Sequence, residues 1–229
     1  MNTARTASRL AIATATVCFL MLVMNHLHGI SQQYFEMMRT PGKYASELME
    51  HARALNMALI ADNIFIILYV TMSYFVIWTL RRNVIPPVVY AGIVLITAVG
   101  ILDFAENFHI YTLMHQFADP EWVQNPMTTG VPASEIQWQA SESMLKWHLS
   151  YLAFFLLGFM VPVKELAGRI LRIAVWYWFI PTGIFLYAVS GSDYEDLFQQ
   201  IRFGNLLGGF ILLAIIMRGI ASEPDPEMA

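Results

Sequence analysis

The chain has 229 residues, of which 57% are hydrophobic and only 13% charged; a soluble domain carries nearer a quarter charged residues. Its formal net charge is −4, and the absence of a basic patch or tail excludes a nucleic-acid partner. The single cysteine, Cys18, excludes an intrachain disulfide and a thiolate metal site.

Apolar runs then follow one another along the chain. The first, Leu10 to Met24, comes after a basic start, "MNTARTASRL". That order resembles a signal peptide, but no small-residue cleavage site follows, so an uncleaved first span is expected over 8–30. Ser31 to Asn56 is a polar outer segment with "TPGK" between two helical patterns. A second span is predicted over 57–80 and a third over 88–113, opened by Pro86 and Pro87. Gln116 to Ser143 is a second outer segment, long enough to fold back over the bilayer surface. Spans at 145–163, 169–189 and 203–219 complete the set, with Pro181 expected to kink the fifth. "SGSDYEDLFQQ" is a third, short and acidic outer segment. Residues 221–229, "ASEPDPEMA", read as a disordered cytoplasmic tail after a single transmembrane domain over 1–220.

Each run is close to the roughly 20 apolar residues that cross a bilayer, and alternating strand patterns are absent. The predicted class is therefore all-α, a polytopic integral membrane bundle of six helices. Orientation follows from lysine and arginine. With the N-terminus inside, the inner side receives Arg5, Arg9, Arg81, Arg82, Lys164, Arg169, Arg172 and Arg218, while the outer side receives Arg39, Lys43, Arg53 and Arg202. This asymmetry places both termini in the cytoplasm. A bacterial inner membrane is the expected location, with the bilayer itself as the first partner.

The stretch "GILDFAENFHIYTLMHQ", Gly100 to Gln116, ends the third span with Asp103, Glu106, Asn107 and His109. Measured from Val88 at 1.5 Å per residue, Asp103 lies about 22 Å along the helix, in its outer third. The same measure brings Asp62 and Asn63, Lys146 and His148, His26 and His28, and Arg202 to that depth on four other spans. Asp103, Glu106 and Asn107 share an arc of about 100° that Ile110 and Met114 continue, and His109 lies off it. Asp62, Tyr69 and Ser73 share a face of the second span. Glu142 and Lys146 stand at the i,i+4 spacing of an ion pair.

Intramembrane carboxylates face a bundle interior or a wet cavity. Asp62, Asp103, Glu106 and Lys146 are accordingly the predicted catalytic set, with Asn107, Tyr69 and Arg202 as ligand-binding residues. Two acids one turn apart in a low dielectric must share a proton or pair with Lys146 or Arg202. His109 and His148 are candidates for a divalent metal or as axial ligands of a haem; no His-Glu-x-x-His or paired-histidine signature supports them, and the cofactor is left open. Gly204 and Gly208 in "GNLLGG" fit close helix packing. The expected function is an enzyme or ligand-binding protein acting on a small molecule or lipid at the outer leaflet. The alternatives are a transporter or channel component and a haem-binding or accessory subunit, in a homo-oligomer or a larger membrane complex.

Overall fold

The computed structural model of the protein describes residues 2–29, 31–117 and 131–222. Among these the chain is helical, without strands. α1 is Thr3–His28, α2 Pro41–Glu50, α3 Ala52–Leu80, α4 Pro86–Phe117, α5 Ala133–Met160, α6 Leu166–Ala188 and α7 Glu195–Ser222. All but the short α2 are long and apolar enough to cross a membrane, which makes six, consistent with an integral membrane protein. Their outward faces carry exposed Ile67, Val94, Ile101, Phe155, Ile173 and Ile215. Water would not tolerate so continuous an apolar surface on a monomer, whereas lipid tails do.

Local sequence sets the helix ends. The Asn2 side chain accepts from the Arg5 amide and caps α1, and Gly29, at φ 65°, ends it in the left-handed region that glycine adopts without strain. Ser31 then caps a single 3₁₀ turn, Gln32–Glu36, and Pro41 opens α2 from its first position. In α6 the five residues Val175–Phe179 form a π turn just before Pro181, where the Ile180 amide bonds back to the Val175 carbonyl. The interruption that Pro181 predicts is met by this π turn, which accommodates a residue lacking an N–H.

α1 lies along α3 and α7, α3 along α4, α4 along α5, and α6 packs on α5 and α7, so the spans form a ring. Asn2 Nδ2 reaches the Ala221 carbonyl at 3.5 Å, which puts both ends of the described chain at one end of the bundle. The opposite end carries the 3₁₀ turn and α2 and is called the cap end here. Two main apolar cores result, besides a small aromatic cluster of Trp147, Tyr151 and Phe179. The larger runs through the spans, from Ala7 and Met72 to Val175 and Met217. The smaller holds the cap on, with Phe35, Tyr44, Leu48, Leu55, Ile110 and Ile136 fully buried together. At about 1.5–3 kcal/mol for each large apolar side chain removed from water, this second core is what anchors the turn and α2.

Several helices outrun the predicted spans, most of all at the cap end. α3 starts at Ala52 and α5 at Ala133, so 133–143, expected as part of an outer segment, continue the helix. α7 starts at Glu195, inside the expected acidic segment, and runs to Ser222. Hydropathy marks only the lipid-facing stretch, whereas these extensions are amphipathic and bury one face under the cap. The remaining part of the second outer segment, 118–130, and residues 223–229 of the expected tail lie outside the described residues.

Candidate functional site

A layer of polar side chains separates the two apolar cores. The turn after Gly29 folds the chain back so that Gln32, Gln33 and Glu36 are all buried between the spans and the cap. Glu36 is its central acid. Its carboxylate accepts from Lys146 Nζ at 3.1 Å, Arg202 Nη2 at 2.6 Å and Trp147 Nε1 at 2.8 Å. Burial alone would raise the Glu36 carboxyl, but the charges of Lys146 and Arg202 outweigh it and hold the group at about 2. The Arg202 guanidinium also lies 3.8 Å above the Trp147 ring, a cation–π contact in a desolvated site.

Lys146 is the hub. Besides Glu36, its ammonium meets Asp103 Oδ1 at 2.9 Å and Glu106 Oε2. Of these carboxylates, Glu36 and Glu106 accept hydrogen bonds from the ammonium, and Asp103 is an ion-pair partner. Two hydroxyls complete the acids: Tyr69 donates to Asp103 Oδ2 at 2.6 Å, and Ser143 donates to Glu106 Oε1. Asp62 is held differently. Its Oδ2 accepts from the amides of Asn107 at 2.7 Å and Gln32 at 3.4 Å. Asn107 donates as well to Asn63 Oδ1 at 3.0 Å and accepts from Gln32. No cation bridges to Asp62 among the described residues.

The layer opens onto a cavity whose space for the centres of water-sized spheres is about 60 Å³. One water needs roughly 10–15 Å³ on that measure, so the space takes several waters or a small molecule. Gln32, Gln33, Glu36, Asp62, Asp103 and Lys146 line its cap end, while Ile96, Val99, Phe154 and Phe210 wall it towards the middle of the bundle. Beyond Gln33 and Phe203, which border both spaces, lies an open vestibule of about 730 Å³ by the same measure, bounded by the end of α1, α2 and the start of α7. The Arg39–Glu195 ion pair spans from the segment before α2 to the start of α7 beside it. On the other side, Ser73, Ile96 and Phe154 are shared with a largely apolar space of only about 20 Å³.

Most of the residues singled out in the sequence converge here. Asp103, Glu106, Tyr69, Lys146 and Arg202 form one network through Glu36, in which both Asp103 and Glu106 pair with Lys146, and Asp62 and Asn107 form a second with Gln32 beside it. Ile110 and Met114 continue the stripe into the cap core. Two readings are corrected, for Glu142 and for the glycines, and of the two cations expected for the acids only Lys146 meets them. Glu142 does not pair with Lys146: it accepts from Trp138 Nε1 at 2.9 Å and faces His109 Nδ1 at 3.5 Å, because Lys146 is drawn inward by three acids. Arg202 meets neither Asp103 nor Glu106 but Glu36. Gly204 and Gly208 pack against no neighbouring helix; a Cβ at either would meet nothing within 4 Å, and both border a crevice between α5, α6 and α7.

The histidines lie apart from the network. His109 Nε2 contacts Glu135 at 3.1 Å, and His148 bonds the Met144 carbonyl and stacks on Tyr187. Among the described residues, no group of three or more His, Cys, Asp or Glu side chains is placed to hold a metal ion. Glu36, Gln32, Gln33, Ser143 and Trp147 were not foreseen. Glu36 falls within Ser31 to Asn56, the polar segment expected outside the bilayer. Its signal was its setting, "YFEMM": an acid flanked by aromatics and methionines is poorly suited to open water.

No protein family matches the chain, and no curated protein or solved structure is detectably similar to it. What can be stated of the class is an integral membrane bundle of six spans; any role for the polar layer has to be argued from its own chemistry.

Proposed function

We propose that the protein binds a small amphiphilic molecule or lipid in the cavity beneath the cap, with the polar part in the carboxylate layer and the apolar part among Ile96, Val99, Phe154 and Phe210. The cavity itself carries this reading: a buried space, polar at one end and apolar at the other, opening past two side chains towards a vestibule. Asp62, Asp103 and Lys146 form its working face with Glu106 behind Lys146, Asn107 and Tyr69 hold the two aspartates, and Arg202 acts through Glu36. Any proton transfer to a bound molecule would use the same acids. A transporter fits less well, since the space towards the other end is about 20 Å³ and lined by Met72, Met160 and Leu213, with no charged group. The lysine and arginine asymmetry supports a cap facing away from the cytoplasm; Ser46→Cys in a Cys18→Ala background should react with an impermeant maleimide on intact cells, and reaction only after permeabilisation would reverse the orientation.

The cavity reading is tested on purified protein by mass spectrometry of what it carries. Val99→Trp fills the space without touching an ionisable group. A bound species present in the natural protein and lost from Val99→Trp supports the proposal. The same species in both, or bulk lipid alone, overturns it.

A further inference from the structure

The cavity's hydrogen-bonding inventory is one-sided. Lys146 is occupied by Glu36, Asp103 and Glu106, Tyr69 has given its hydroxyl proton to Asp103, and the Ser150 hydroxyl is bonded to the Lys146 carbonyl. What remains is mainly acceptors, beside the side-chain nitrogen of Gln33. Gln32 and Gln33 line the cavity, are only 7% and 3% exposed, and each leaves its side-chain oxygen without a donor. The orientation of Gln32 is fixed by its own network, because its nitrogen already donates to Asp62 and Asn107. Asp62 adds a carboxylate that no cation neutralises.

Charge points the same way. Glu36, Asp62, Asp103 and Glu106 face two cations, Lys146 and Arg202, both already engaged. A phosphate, sulfate or carboxylate head would bring further negative charge into a site with a surplus of it, and the donors left unpaired in the layer, Arg202 Nε and Nη1, do not line the cavity. A neutral hydroxyl would leave the surplus unchanged. An ammonium lowers it, and its N–H groups suit the two unsatisfied amide oxygens and Asp62 together. A quaternary ammonium has the charge and no N–H, so it would leave both glutamine oxygens unpaired.

Resting on the reading of this space as a binding cavity, we infer that its ligand is a primary or secondary amine bearing an apolar substituent, with the ammonium held by Asp62, Gln32 and Gln33 and the substituent among Val99, Phe154 and Phe210. The surplus of acid and the unpaired glutamine oxygens are independent observations, and they agree.

Four probes of equal chain length separate the possibilities: octylammonium, octyltrimethylammonium, octanol and octyl phosphate. Each is titrated into the purified full chain below its own micelle concentration, with binding read from tryptophan fluorescence, since Trp147 lines the cavity. Octylammonium should bind at least tenfold more tightly than the other three. Asp62→Asn should remove that preference, and Gln33→Leu should narrow the gap between the primary and quaternary amines. Equal binding of octanol or octyl phosphate that is lost in Val99→Trp would overturn the amine assignment and leave the cavity standing. Failure of all four probes to distinguish Val99→Trp from the natural chain would remove both.

Discussion

Removing the Lys146 side-chain charge is the severest single change the structure offers. In Lys146→Met the stem is kept and the ammonium lost, so Glu36, Asp103 and Glu106 lose a shared partner at once. Glu36 retains Arg202 and Trp147, Asp103 retains Tyr69 and Glu106 retains Ser143. Stranding a buried charge by deleting its partner costs about 3–5 kcal/mol. At about 2–4 °C per kcal/mol for a chain of this size, melting should fall by roughly 10 °C. The assay is thermal unfolding in a mild detergent, followed by tryptophan fluorescence. A second change checks the cause. Glu106→Gln in the Lys146→Met background removes one stranded acid and should recover part of the loss, a non-additivity expected only of groups in direct contact. A Lys146→Met variant that melts within about 2 °C of the natural protein, or a double variant that simply adds two losses, would refute the hub.

Acid should loosen the cap through Glu36. Its carboxyl is held at about 2 against an ordinary 4.5, so its folded value is the lower one. Its contribution is therefore complete above about 4.5 and declines as the pH falls towards 2. Melting temperature measured between pH 6 and pH 2.5 should drop along that limb, and Glu36→Gln, less stable at neutrality, should show a flatter one; parallel limbs would remove Glu36 as the cause. Two glycines should behave oppositely. A Cβ at Gly168 would run into the Pro162 carbonyl, backbone that cannot move aside cheaply, so Gly168→Ala should cost about 1–3 kcal/mol. Gly208 has open space around it within a helix, so Gly208→Ala should be neutral or gain up to about 1 kcal/mol. Both read out in the same melt, and a loss at Gly208 equal to that at Gly168 would contradict the packing.

The spans were legible because hydropathy and length act locally: six apolar runs gave six helices. The convergence of Asp62, Asp103, Glu106, Lys146 and Arg202 was legible too, because each helix rises by the same 1.5 Å per residue and the tight connections fix where the count starts. Glu142 shows where that reasoning ends. Its spacing to Lys146 is right for an ion pair, but local spacing is outcompeted when three acids from other segments surround the same ammonium. Glu36 was hidden for a related reason: the fold-back at Gly29 that buries it is a tertiary event, made stable by a cap core assembled from α2, α3, α4 and α5. The glycines of α7 failed differently, since small residues four apart signal that a neighbour can approach and not that one does.

Asp62 separates a structural clamp from a binding site most sharply. A clamp built on Lys146 and Arg202 is balanced by two acids, and Glu36 with either Asp103 or Glu106 supplies them. Asp62 adds charge beyond that balance, and it meets only amides. Both donors recorded for it go to Oδ2, so an asparagine with its oxygen in that place keeps both bonds while the charge disappears. If the layer served stability alone, Asp62 would have to contribute to it, and Asp62→Asn would lower the melting temperature. The arrangement argues the reverse, because removing an unbalanced charge from a 9% exposed site relieves a desolvation penalty. Asp62→Asn is therefore expected to melt at or above the natural protein, by up to about 1–2 kcal/mol equivalent, while losing its ligand. A stability gain bought at the expense of binding is the pattern of a site whose residues are selected for use. A variant that is clearly destabilised yet binds as before would return Asp62 to the framework and take the centre of the proposed site with it.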